Sequence, residues 1–249
     1  MTVAAPRPPL TAMAQVHDAL ARDGHAVIDA ASLASLCQVQ LADLLGWRTR
    51  WDDLPADRYL RDGGHYRQRR HSCFVVRGDA MTQVPHRPHW QSVDYNALHG
   101  GIERHFEPMP AAWTSAPAWQ RLVRGLASCA TRLRGAQSWY VEAHPFRITT
   151  AGGIGRPTPE GAHRDGVDLV AVILIARAGI KGGETRVFDA EGPKGLRFTL
   201  DEPFSALLLD DARVIHETTP IQPSDPAREG HRDTLVLTFR AGGFQGPRS

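Results

Sequence analysis

Cysteine is scarce in this chain. Cys37, Cys73 and Cys129 are the three among 249 residues, and no C-x-x-C pair occurs. That is too few and too scattered for a disulfide framework, and it fits a reducing compartment. A large charge of one sign is missing too: the formal net charge is +2, which gives no electrostatic reason to expect nucleic acid or an anionic membrane as partner. Long apolar runs are absent. The strongest, Val167 to Ala178, contains Asp168 and Arg177 and falls short of the ~18 residues that span a bilayer. The first ten residues lack the charged-then-apolar pattern of a secretory signal, and their prolines suggest a loose tail. No internal repeat or long low-complexity segment stands out. A soluble, cytoplasmic protein is expected, of undetermined oligomeric state.

An apolar fraction of 42% over 249 residues fits one domain, residues 1–249. Residues 1–135 read as a mixed, helical elaboration. Thr11 to Asp23 and Ser32 to Leu45 have helical spacing and stop at Gly24 and Gly46. His25 to Ile28 and Ser72 to Arg77 read as strands around an arginine-rich loop. Pro117 to Leu133 places Trp119, Leu122, Val123, Leu126 and Ala130 on one helical face. From residue 136 to 240 the pattern turns to strands: Trp139 to Thr149, Val167 to Ile175, Glu184 to Asp189, Leu196 to Leu200, Phe204 to Leu209, Arg213 to His216 and Thr234 to Arg240. Short strands with turns at this spacing argue for a mainly β fold with flanking helices and a jelly-roll, cupin-like core.

The chemistry is concentrated in His163-Arg164-Asp165, the later His216, and Arg232-Asp233-Thr234. Two imidazoles and one carboxylate occupy one face of a non-haem iron(II) ion and leave positions open for substrate. On a strand, residues two apart point the same way, so His163 and Asp165 can reach one metal. His-x-Asp alone is weak: with 12 histidines, about one such pair arises by chance. His231-Arg232-Asp233 is a second, but only the first pair has a histidine downstream in a strand-rich segment. Arg232 and Thr234 alternate onto one face of the last strand, where a buried guanidinium needs an anion. A forked guanidinium with a hydroxyl beside it suits the distal carboxylate of 2-oxoglutarate. Arg240 lies on the same alternation, at the strand end.

These residues, with Pro159-Glu160-Gly161-Ala162 before the motif and Gly182-Gly183-Glu184 after it, resemble the bacterial 2-oxoglutarate/Fe(II) dioxygenases that hydroxylate free L-amino acids, the isoleucine 4-hydroxylase type. The likeness runs from about Tyr66 to Phe239, through Tyr66-Arg67-Gln68-Arg69-Arg70, Gln91-Ser92, Asn96, Gly100-Gly101 and Arg104-His105-Phe106. It implies a double-stranded β-helix core and iron on His163, Asp165 and His216. It also implies that Arg232 and Thr234 hold 2-oxoglutarate, which is consumed with dioxygen to give succinate and carbon dioxide, ascorbate being supportive in vitro. Hydroxylation of an unactivated C–H is the expected reaction. Desaturation or cyclisation by the same fold, or a non-catalytic jelly-roll binding module, are the alternatives.

The substrate is less legible. The Arg58 to Arg70 segment holds five arginines, of which Arg67 or Arg69 would grip a substrate carboxylate. No aromatic-interleaved basic stripe accompanies them, against a nucleic-acid surface. Arg147 would face inward towards a substrate carboxylate or pair at the sheet edge. Glu160 would take an ammonium group or cap its loop. Trp47, Trp51, Trp90, Trp113, Trp119 and Trp139 read as core. His86, His89, His99 and His105 have no regular ligand spacing and read as loop histidines, without a second metal.

Overall fold

A computed structural model describes residues 6–96 and 98–247. A short 3-10 turn, Met13–Gln15, leads into α1 (Val16–Asp23), which Gly24 closes in the left-handed conformation. Strand β1 (His25–Ile28) follows, then α2 (Ala30–Cys37), capped where the Asp29 carboxylate accepts from the Ser32 amide. The single helix expected over Ser32 to Leu45 is broken: Gln38 takes a φ of 53°, and α3 (Leu41–Leu45) starts afresh. The arginine-rich segment carries a short strand, β2 (Arg67–Arg69), ahead of β3 (Ser72–Arg77) and β4 (Ala80–Gln83). After α4 (Ala111–Thr114) comes α5 (Pro117–Arg134), with proline in its first turn and the expected apolar stripe buried.

The remaining strands are β5 (Trp139–Thr149), β6 (Leu169–Ala178), β7 (Ile180–Gly182), β8 (Thr185–Asp189), β9 (Gly195–Phe198), β10 (Ala206–Asp210), β11 (Val214–Thr218), β12 (Ile221–Pro223) and β13 (His231–Arg240). An eight-stranded antiparallel sheet runs β1-β10-β6-β13-β5-β3-β4, with β2 also on β5. Two smaller sheets, β11-β8-β9 and β12-β7, oppose it. This is the mainly β, jelly-roll architecture expected. The segment up to residue 135 is more than an elaboration, because β1 and the β3-β4 pair extend the large sheet at both edges.

Strand alternation sorts the side chains into two cores. Val141, Ala143, Leu235, Leu237 and Phe239 face the helices and pack with Trp119, Leu122 and Leu126. Val170, Leu174, Leu207 and Leu209 face the smaller sheet and meet Val187, Phe198 and Val214. The inner faces of β5 and β13 continue past this second core into a cavity lined by both charged and apolar side chains. Among the described residues no helix is long and apolar enough to cross a membrane.

Candidate active site

One wall of the cavity is built by two strand faces in register. Thr238 lies opposite Glu142, Val236 opposite His144, Thr234 opposite Phe146 and Arg232 opposite Ile148, and all eight line the cavity. The facing wall carries His163, Asp165 and His216, whose ligand atoms all lie within 4.8 Å of one another. His163 and Asp165 do not sit on a regular strand as expected. They lie on an irregular segment tied down by a single bridge, in which His163 and His216 exchange backbone hydrogen bonds of 3.0 and 2.9 Å. That pairing sends both imidazoles the same way.

The chain holds these groups in a state fit for a metal. His163 Nδ1 donates to the Gly161 carbonyl at 3.0 Å, which turns Nε2 into the site. Burial would lower this imidazole, but the carboxylates of Asp165 and Glu160 outweigh it and raise it above its ordinary range. Asp165 Oδ1 and Oδ2 are each 3.8 Å from a ring nitrogen, Nε2 of His163 and of His216 respectively. Burial, reinforced by the neighbouring His163, keeps His216 well below the ordinary imidazole range and therefore neutral. The turn after Asp165 is gathered by Asp211, whose buried carboxylate accepts from the amides of Asp165, Gly166 and Val167 at 3.0, 2.7 and 3.0 Å.

Arg232 is 3% exposed, and its Nε and Nη2 have no partner. Burial, with Arg177 adding to it, pushes its guanidinium down to about 10, so a bound anion would relieve a charge that no ion pair among the described residues satisfies. Thr234 lines the cavity two residues on. Arg240 also lines it and donates to the Gly243 carbonyl at 2.6 Å.

A second group, His71, His89, Glu142 and His144, is buried close by. Glu142 Oε2 is 3.0 Å from His71 Nε2, 2.5 Å from His89 Nδ1 and 3.6 Å from His144 Nε2. Arg69 Nη2 reaches His144 Nδ1 at 2.6 Å. Arginine only donates, so His144 Nδ1 accepts and its Nε2–H is turned towards Glu142. This is a carboxylate fed by the N–H donors of His71 and His89, with His144 just beyond hydrogen-bond reach. Burial alone would raise the Glu142 carboxyl, yet His89 and His71 hold it well below its usual range. His89 itself is pushed down to about 3 by burial.

Of the residues expected from the sequence, Arg67, Arg69, Glu160, His163, Asp165, His216, Arg232 and Thr234 all border this cavity. Arg147 does not. Because Phe146 and Ile148 face inward, Arg147 points to the other side of the sheet, where it binds Asp233 at 2.7 Å and Asp52 at 2.9 Å. Trp90, expected in the core, lines the cavity, and His89, expected as a plain loop histidine, is buried against Glu142. Gln91, Asn96 and Arg104 also border the cavity, although the resemblance assigns them no role. Glu142 and His144 are functional-site residues without an expected role; their signal in the sequence is a polar pair two apart inside an apolar strand, Glu-x-His.

The family model described as 2OG-Fe dioxygenase matches residues 48–238. A solved bsmA homologue (Mpe_A2762) from Methylobium petroleophilum PM1 is 51% identical, with 97% of this chain and 98% of that chain covered and a TM-score of 0.91. IDO from Bacillus thuringiensis, 17% identical over 95% and 99% of the two chains, has the same fold at a TM-score of 0.74. So does the Fe(II)/(alpha)ketoglutarate-dependent dioxygenase TqaL, 16% identical over 95% and 90%, at 0.71. No curated protein matches the chain.

Proposed function

The chain belongs to the 2OG-Fe dioxygenase family, an enzyme class working with Fe(II), 2-oxoglutarate and dioxygen, and on that premise we propose that it hydroxylates an unactivated C–H of a free L-amino acid or amino-acid-derived metabolite. His163, Asp165 and His216 hold the iron, and Arg232 with Thr234 anchors 2-oxoglutarate. The donor set and the orphaned Arg232 nitrogens fit both groups. Bound there, iron with 2-oxoglutarate and dioxygen supplies the oxidant that takes a hydrogen from carbon, with succinate and carbon dioxide as co-products.

The observation that carries the substrate reading is the charge layout of the cavity. Three buried arginines, Arg67, Arg69 and Arg104, line it together with Glu160, whose Oε2 is buried without a partner. Arginine receives a carboxylate and glutamate an ammonium, the two ends of an amino-acid zwitterion. Phe146, Val172 and Val236 supply an apolar wall that holds the carbon chain and keeps water away from it.

The test is succinate release by protein supplied with Fe(II), ascorbate and 2-oxoglutarate, with and without pooled free L-amino acids, followed by mass spectrometry. Stimulated succinate with one amino acid gaining a single oxygen is expected. A product lighter by two hydrogens would reassign the reaction to desaturation or cyclisation, and no stimulation by the pool would overturn the substrate class.

A further inference from the structure

Three buried arginines crowd one end of the cavity, and they are not equivalent. Arg67 is held by Asp57 at 2.7 Å, a pair buried on both sides. Arg69, like Arg104, has no acid within ion-pair distance among the described residues and an unpartnered Nε, but it is bonded to the neutral His144 ring at 2.6 Å and stacked between aromatics, its guanidinium carbon 3.8 Å from the Phe106 ring centre and 4.3 Å from that of Phe146. Arg104 is 2% exposed, and no acid lies within ion-pair distance of it among the described residues. Its one side-chain partner is neutral: Nη2 donates to Gln91 Oε1 at 2.9 Å, while its Nε is buried with none. A buried cation without a counter-charge is costly, and burial pushes this guanidinium down to about 10.

Gln91 connects that cation to the other wall. Its Oε1 accepts from Arg104 and from Asn96 Nδ2, and its Nε2 donates to Asp165 Oδ1 at 3.1 Å. The main chain fixes both ends, since Arg104 and His89 exchange backbone hydrogen bonds of 3.0 Å and the Gly101 amide donates to the Gln91 carbonyl at 2.8 Å.

We propose that Arg104 is the anchor for the substrate's carboxylate, and that Gln91 is a strut setting that anchor at a fixed reach from Asp165. This rests on the amino-acid reading above and deepens it. The ligand class is a monocarboxylate with a free amine, Arg104 taking the anion and Glu160 the cation. Because the strut fixes the reach, the carbon attacked is set by its distance along the chain from the carboxylate. Gln91 acts through its neighbours and is a positioning residue.

The experiment compares thermal shifts of the full-length protein, with Mn(II) in place of iron and 2-oxoglutarate present, in pooled free L-amino acids and in the matching pool of α-carboxamides. Wild type is expected to be stabilised by the acids and not by the amides. Arg104→Gln is expected to weaken acid binding by roughly tenfold to a hundredfold, the size of a lost charge-assisted contact, with Arg104→Lys intermediate. Gln91→Leu is expected to keep most of the binding while the ratio of oxygenated product to succinate falls severalfold in the iron form. Equal binding of acids and amides by wild type overturns the anchor even if Arg104→Gln fails to fold. So does an unchanged Arg104→Gln, which leaves the amino-acid reading standing. No response of wild type to either pool overturns both together. An unchanged product-to-succinate ratio in Gln91→Leu removes the strut.

Discussion

His163 and His216 are each other's backbone hydrogen-bond partners, N to O in both directions at 3.0 and 2.9 Å. The pair is thus aligned by main chain, and either side chain can be cut back without moving the other. His163→Ala, and equally Asp165→Ala, is expected to retain the fold while iron content and succinate formation drop by more than roughly a hundredfold, since even outer-shell changes at metal sites cost up to about that much. Iron analysis and a succinate assay on the folded variants decide it, and survival of both activities would sink the metal assignment.

Arg232 has two unpartnered nitrogens and almost no exposure. Removing it should act on 2-oxoglutarate rather than on the substrate. Arg232→Ala is expected to raise the apparent KM for 2-oxoglutarate by roughly tenfold to a hundredfold. An unchanged value would move the anchor elsewhere on the cavity wall.

Arg147 provides the contrast. Its two carboxylate partners lie across the sheet from the cavity, and Asp233 is 1% exposed. Arg147→Ala is expected to lower stability by about 1–3 kcal/mol, because a buried carboxylate loses its main donor. Denaturant unfolding measures that, and the KM for substrate in the same variant should stay within about twofold of wild type.

Gly100 stands where the turn linking Gln91 to Arg104 closes on itself. A Cβ there would lie 2.4 Å from the Asn96 carbonyl oxygen and 2.6 Å from that of Ser92, closer than backbone atoms can yield. Gly100→Ala is expected to displace Gln91 and Asn96 and to cost at least about tenfold in kcat/KM with only modest loss of Tm. Wild-type kinetics in that variant would show that the turn has slack.

Acid should destabilise the protein early. His89, His71 and His144 are held below their ordinary range by burial, whereas in the unfolded chain they titrate near ~6.5. Below that pH the unfolded state binds more protons than the folded one, so stability falls on acidification, by about 1.4 kcal/mol per pH unit for each histidine. Glu142, held low in the fold, adds to the loss below about pH 4.3. Thermal melts of chelator-treated protein from about pH 7.5 down to about pH 5 test this, and a flat Tm would contradict it.

Periodicity was enough for elements whose reason is local. The strands His25–Ile28, Ser72–Arg77 and Trp139–Thr149 and the apolar face of α5 follow from alternation and helical spacing. The motif residues at 163, 165, 216, 232 and 234 meet at one cavity because ligand-type spacing survives translation into chain geometry. What tertiary contacts decide was harder to read. The left-handed Gln38, the irregular backbone at His163 and the outward turn of Arg147 depend on neighbours distant in sequence. The partition of the arginines into paired and unpaired depends on where Asp57, His144 and Gln91 arrive.

Strand β13 lies between β5 and β6, bonded to both along most of its length, yet it leaves the ribosome after every other strand described. Until it inserts, β5 and β6 present unpaired edges, and Arg232 has not reached the cavity. Nascent chains are therefore exposed to edge-to-edge association late in synthesis, and the cavity still lacks the strand that completes its wall. Completion of the cavity wall and burial of the sheet's middle therefore depend on the same strand, the last of those described to be synthesised.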